Sequence, residues 1–242
     1  GRRNTELLGA GLSISFIVAS GIVKSVGAYL MYEWGVSEFA MPFFTGAIFM
    51  LPLVAFTWLL DRLPPPSAED EALRVRREPM DGAQRIAFFK RFGGGIVVLT
   101  LAYLFLTAFR DLRDNYAREV LDAIGFSGNA AIFVQTEIPI AIIVLGVMAS
   151  LMLIKDNKRA LMANHAIIFT GLAMIGLSTA AFTAGWLSPY LWMVLVGLGS
   201  YLGYVPFNCI LFDRLIATYR TVANAGFLIY IADAFGYLSS VG

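Results

Sequence analysis

Seven stretches of this chain stay apolar for long enough to cross a lipid bilayer: residues 7–31, 39–60, 92–109, 129–154, 160–185, 188–212 and 221–242. A hydrocarbon core roughly 30 Å thick is crossed by about 20 such residues in a helix. Within it every backbone N–H and C=O needs a protein partner, so only helices and closed barrels span. The runs lack the period-two alternation of barrel strands and are too long for them. The fold class expected is therefore all-α, a polytopic membrane protein with seven transmembrane helices. Composition agrees: 58% of the 242 residues are hydrophobic and 14% are charged, against about 25% charged in an ordinary soluble domain.

The same counts remove several function classes. A net charge of +1 gives no basic field for nucleic acid. The single cysteine, Cys209, cannot form an internal disulfide, and one His with one Cys cannot complete a four-ligand zinc site. No metal and no cofactor is implied. No phosphate-cradling G-x-x-x-x-G-K-[ST] sequence occurs, so ATP-driven pumping would need another subunit. The partners left are the lipid bilayer and a small-molecule solute.

Basic residues set the expected orientation. Loops 1–6, 61–91, 155–159 and 213–220 carry fourteen of the 18 Lys and Arg, whereas loops 32–38 and 186–187 carry none. The basic side is expected to be cytoplasmic, with the N-terminal end inside. The chain opens Gly1-Arg2-Arg3 like an internal loop and stops in an apolar run, which suggests a piece of a longer protein. Loop 61–91 is the one linker. It begins Pro64-Pro65-Pro66, mixes Glu69, Asp70 and Glu71 with Arg74, Arg76 and Arg77, and ends in a segment, Asp81–Phe92, that suits a short amphipathic helix on the membrane surface or a plain solvated connector.

Ionisable side chains inside a bilayer cost several kcal/mol and mark candidate sites. The first span holds Lys24; the third ends in Arg110, Asp111, Arg113 and Asp114; the fourth holds Gln135 and Glu137, the sixth Asn208 and the seventh Asp233. The second span and most of the fifth hold none, so those two are expected to face lipid. At 1.5 Å per residue Lys24, Arg110 and Glu137 fall in the outer half of the membrane and Asp233 near its middle, roughly 18 Å from its cytoplasmic start. Pro139 frees the carbonyl of Gln135, and Pro206 frees that of Leu202 beside Tyr201 and Tyr204. Gly199 and Gly203 form a small-xxx-small face suited to close helix packing. Arg110 and Asp114 have the i, i+4 spacing of a salt bridge on one helix face, which leaves Arg113 for another partner.

These charges allow two readings. In one, Lys24, Arg110 and Arg113 attract an anionic or zwitterionic solute. Gln135, Tyr201, Tyr204 and Asn208 offer it neutral hydrogen bonds, Glu137 and Asp233 carry a coupling proton, and Asp114 is a structural ion-pair partner. In the other, the charges are fixed pairs in a scaffold or sensor, for example Lys24 with Glu137.

Catalysis finds no constellation. Gly125-Phe126-Ser127-Gly128 resembles the G-x-S-G of rhomboid-type intramembrane proteases, but the only base, His165, is expected near the opposite membrane face, roughly 25–30 Å away. Ser127 or Asn129 reads better as a helix cap. A retinal-type receptor is opposed by the cytoplasmic N-terminal end and by Asp233 where a Schiff-base Lys would stand.

The span pattern, with Lys155-Asp156-Asn157-Lys158-Arg159 in a tight cytoplasmic loop and Arg220-Thr221-Val222-Ala223-Asn224-Ala225-Gly226 at a helix start, resembles a divergent bacterial branch of the major facilitator superfamily. The resemblance implies two six-helix bundles joined by a long loop. Residues 1–60 would be the last two helices of the N-terminal bundle, 61–91 the cytoplasmic linker and 92–242 five helices of the C-terminal bundle, so that family helices five to eleven are present and the rest belong to a parent chain. It further implies a secondary transporter of the bacterial inner membrane rather than an enzyme. The two charge-poor spans then fall at family helices six and nine, which are peripheral.

Overall fold

The computed structural model describes residues 2–65, 80–219 and 225–241. Among them every regular element is helical: α1 Arg2–Tyr32, α2 Met41–Asp61, α3 Gly82–Asn115, the short α4 Ala117–Ala123, α5 Ile132–Met152, α6 Asn157–Thr183 and α7 Pro189–Pro206. A π-helical segment, Phe207–Leu211, carries α7 directly into α8, Phe212–Tyr219, and α9 covers Ala225–Val241. Five of these helices, α1, α2, α3, α5 and α6, contain windows long and apolar enough to cross a membrane. The acidic and basic run of the linker, Glu69 to Arg77, lies outside the described residues, as do Arg220 to Asn224.

The helix boundaries have local causes. Asp81 accepts from the amide of Gln84 at 2.7 Å while the Gln84 side chain accepts from the Asp81 amide at 3.1 Å. This reciprocal cap starts α3 ten residues before the expected third span. Asp81–Phe92 is thus the opening of one 34-residue helix and not a separate surface helix. Three consecutive glycines, Gly93 to Gly95, cost helix stability, about 1 kcal/mol each relative to alanine. The helix survives them because Phe92 packs on Tyr219 at 5.4 Å and Arg85 lies over the ring of Phe227 at 5.3 Å. Asp156 caps α6 and Ser188 caps α7, where Pro189 occupies the first turn. α5 starts differently from expectation. Its N-cap is Ala131 with no side-chain bond, and Asn129 only accepts from the Ala131 amide at 3.1 Å.

α7 is the axis of the bundle, buried almost without interruption from Met193 to Pro206. One apolar cluster ties it to α1 and α5 through Ile17, Ile140, Val144, Met148, Leu198 and Leu202. A second joins α3, α6 and α9 around the π segment through Tyr103, Leu106, Ile168, Phe207, Leu211 and Leu228. The helix axes approach closely where side chains are missing. A Cβ on Gly171 of α6 would stand 2.5 Å from the carbonyl oxygen of Gly199 and 2.8 Å from the amide nitrogen of Gly203. The expected face of small residues on α7 is therefore the seat of α6. Gly171→Leu should cost at least about 1–3 kcal/mol, because backbone cannot yield as a side-chain tip does. Gly176→Leu, with nothing within 4 Å of its Cβ, should stay within about 0.5 kcal/mol. Thermal melts of the two purified variants check the contrast.

α2 stands at the edge. Thr45 is its one buried residue, and it rests on α1 where Gly27 faces Met41 and Thr45. Phe43, Leu51, Phe56 and Trp58 point outward, as a helix face against acyl chains does.

Candidate functional site

One stripe of α3 organises the polar groups. Tyr103, Thr107, Arg110 and Asp114 recur at steps of four, three and four residues, which places them on one helix face; Arg113 adjoins it. From Tyr103 to Asp114 the stripe runs roughly 16 Å along the axis. Helices α1, α5, α7 and α9 bring their own polar residues to it.

At the C-terminal end of α3 the charges form a chain. Lys24 of α1 bonds Asp114 at 2.9 Å, Arg113 lies 3.6 Å from the same carboxylate, and Arg113 meets Glu137 of α5 at 3.0 Å. The Arg113 and Glu137 side chains are only 7% and 6% exposed. Room for them is made by glycine. A Cβ at Gly197 would lie 2.5 Å from Arg113 Nη2, and one at Gly21 would lie 2.9 Å from Glu137 Cβ. Arg113 Nε and Glu137 Oε2 have no hydrogen-bond partner among the described residues. The pair is therefore held by one strong contact inside a closely packed wall.

Arg110 does not close the expected i, i+4 bridge to Asp114. Its Nε and Nη2 donate to Asp111 Oδ1 at 3.0 and 2.8 Å, and its guanidinium lies 4.3 Å from the centroid of the Tyr204 ring. Asp114 is taken instead by Lys24 of the neighbouring helix α1, at 2.9 Å. The expected pairing of Lys24 with Glu137 gives way in the same manner, each having a partner on α3.

The Tyr204 ring fills a gap between two side chains of α3. Tyr103 and Arg110, seven residues apart, are separated by roughly 10.5 Å along the axis. Tyr204 stacks on Tyr103 with centroids 5.1 Å apart and carries Arg110 at its 4.3 Å contact. Beyond it, Tyr103 donates its O–H to Asp233 of α9 at 2.6 Å and accepts from Asn208 Nδ2 at 3.2 Å. Asn208 belongs to the π segment that continues from Pro206. A π turn inserts one extra residue and rotates the helix beyond it, a geometry found often at functional sites. Gly236 admits the Tyr103 ring, which would lie 2.8 Å from a Cβ there. No ion pair to Asp233 occurs among the described residues.

A family model of unknown function, DUF5690, matches residues 1–242. The chain belongs to the DUF5690 family. No curated protein and no solved structure matches it.

In this DUF5690 chain the structure thus gathers Lys24, Arg110, Arg113, Asp114, Glu137, Tyr204, Asn208 and Asp233 along one seam. Tyr201 is buried one turn before Tyr204, in the field of Glu137 and Arg113. Gln135 enters differently from expectation. Its residue is exposed, and its contribution is the carbonyl freed by Pro139, which accepts the Tyr190 O–H at 2.9 Å. Asp111 is marked in the sequence as one of the charges that end the third span but is given no role there, and Tyr103 joins the site without a signal, in an apolar run with nine other tyrosines in the chain. The G-F-S-G segment is a helix stop. Gly125 has φ +97°, and the amides of Gly125 and Phe126 return to the carbonyls of Asp122 and Leu121, the hydrogen-bond pattern of a Schellman cap. His165 bonds the Leu161 carbonyl at 2.8 Å, in the third turn of α6.

Proposed function

We propose that this protein is a secondary transporter that moves a small zwitterionic or anionic solute by alternating access, with Asp233 taking up the coupling proton. The observation that carries this reading is the convergence of intramembrane charges from α1, α3, α5 and α9 on one seam beside the aromatic face of α7. Isolated lipid-facing helices have no use for so many costly groups along one seam. Seven spans are part of the proposal: the helical rod from Pro189 to Tyr219 and α9 complete the five longer helices. So is an arrangement like that of the major facilitator superfamily in a bacterial inner membrane, with the N-terminal end cytoplasmic. The outlying position of α2 supports it, since α2 would be a peripheral helix of that family.

The seam contains residues whose removal strands no charge, and these are the places to test it. With Cys209 replaced by serine, single cysteines at Tyr204 and Asn208 in the membrane-embedded protein, which keep Asp233, should react with a polar thiol reagent from one side, and the reactive side should change with pH. Sites dark from both sides would end the transport reading. They would favour a scaffold whose charges are fixed pairs, and then the exchange Lys24→Asp with Asp114→Lys should restore assembly that either change alone disrupts.

A further inference from the structure

The seam contains two ion-pair systems of different kinds. Lys24, Asp114, Arg113 and Glu137 form a linked chain of three contacts across three helices, and its innermost pair is walled in by Gly197 and Gly21. Inserting a solute there would require moving backbone. Arg110 and Asp111 form a pair by themselves, 17% and 21% exposed, and no third charged group joins them among the described residues.

That second pair is also imperfectly satisfied. Two N–H groups of Arg110, on Nε and Nη2, both point to the single oxygen Oδ1 of Asp111. A guanidinium fork is matched best by the two oxygens of one carboxylate, each taking one N–H. Adjacent residues of a helix do not face each other, and Asp111 does not offer both oxygens to the fork. A free carboxylate can offer both. Arg110 meanwhile lies on the Tyr204 ring, a surface that favours cations.

We propose that the Arg110–Asp111 pair is the binding centre for a zwitterionic solute, whose carboxylate takes the Arg110 fork and whose ammonium takes Asp111, with the face of Tyr204 as the floor. Charge balance separates this from an anion site. Lys24, Arg110 and Arg113 are matched one for one by Asp114, Asp111 and Glu137. A bare anion drawn to Arg110 would leave Asp111 unpaired beside a wall of low dielectric, a costly state. A zwitterion replaces one internal pair by two external ones and leaves the net charge of the seam unchanged. The inference rests on the transport reading and narrows its solute to molecules carrying both charges on adjacent or nearly adjacent atoms.

The test uses the full chain in detergent or nanodiscs and needs no transport assay. Proteinogenic α-amino acids and glycine betaine are added singly, each beside the carboxylic acid and the amine of the same carbon skeleton, and the melting temperature is followed. At least one zwitterion is expected to raise it while its matched acid and amine do not. Asp111→Asn should weaken that binding at least about tenfold. Asp111→Glu, which keeps the charge and moves it by one methylene, should weaken it less, and so guards against a variant that merely misfolds. Acids that stabilise as well as zwitterions, no response to any compound, or a zwitterion response untouched by Asp111→Asn would each overturn the proposal. If thiol labelling at Asn208 is still gated in any of those cases, the solute class alone has failed; if labelling is dark, the transport reading has failed with it.

Discussion

Replacing Glu137 with leucine should cost the protein about 3–5 kcal/mol, the largest loss expected from any single change in the seam. The magnitude comes from what is left behind. Arg113 would keep its charge within a wall formed by Gly197 and Ile140, with Asp114 at 3.6 Å, already bonded to Lys24, as its remaining counter-ion. The reverse change, Arg113→Leu, should cost a similar amount by stranding the carboxylate. Removing both, Arg113→Leu with Glu137→Leu, should recover most of the loss, because two apolar side chains need no partner in a dry wall. The surface pairs of Arg118 with Glu38 at 3.7 Å and with Asp122 at 3.9 Å are exposed, so Arg118→Ala should cost less than about 1 kcal/mol. Melting temperatures of the four variants in one detergent decide the matter. Equal losses at Glu137 and Arg118 would mean that the inner pair is hydrated and that the seam is open where its side chains are packed most closely.

The residues out of place in a membrane are legible in the sequence, but not which of them meet. Lys24, Arg110 and Glu137 stand out because each interrupts an apolar run, and counting residues along a helix gives their depth. Pairing also needs the rotation of each helix about its axis, and that is set by contacts such as Gly21 against Glu137 and Gly197 against Arg113. Glycines in a membrane helix signal close packing in general, without saying what they approach. Depth alone makes Lys24 a partner for Glu137; rotation gives it to Asp114. Local rules fare better where the physics is local. The carbonyl freed by Pro139 does find a donor, in Tyr190, and Arg113 does look away from its own helix. The start of α3 is hard to place because its capping box, Asp81 with Gln84, sits in a stretch so rich in charge that it reads as a solvated connector.

The sorted pairs give the seam a division of labour that composition could not show. Three cations and three carboxylates neutralise one another around the C-terminal end of α3, and Asp233 is the carboxylate left over. It is held by a neutral donor, the Tyr103 O–H, and that donor is in turn steadied by Asn208 and by the Tyr204 ring. Asp233 therefore makes no salt bridge among the described residues, whereas Glu137 holds Arg113 at 3.0 Å inside a closely packed wall. Of the two carboxylates expected to couple, Glu137 is the one that holds Arg113 in place, which is why the proposal puts the proton on Asp233.

Asp233→Asn should separate stability from function. No cation is stranded, and the amide oxygen still accepts from Tyr103, so the melting temperature should change by no more than about 1 kcal/mol would cause. Accumulation driven by a proton gradient should be lost altogether, because an amide at this position takes up no proton. In proteoliposomes loaded with a pH-sensitive dye, the wild type should move protons when a stabilising solute is added, and Asp233→Asn should not. Exchange of labelled for unlabelled solute, which needs no net proton movement, should persist in the variant. Tyr103→Phe removes the donor but keeps the stack on Tyr204, and should shift the pH dependence of uptake without abolishing it. If Asp233→Asn still accumulates solute at the wild-type rate, the proton travels elsewhere. In that event the lone carboxylate of α9 serves to anchor Tyr103 against α3, where Gly236 already admits its ring.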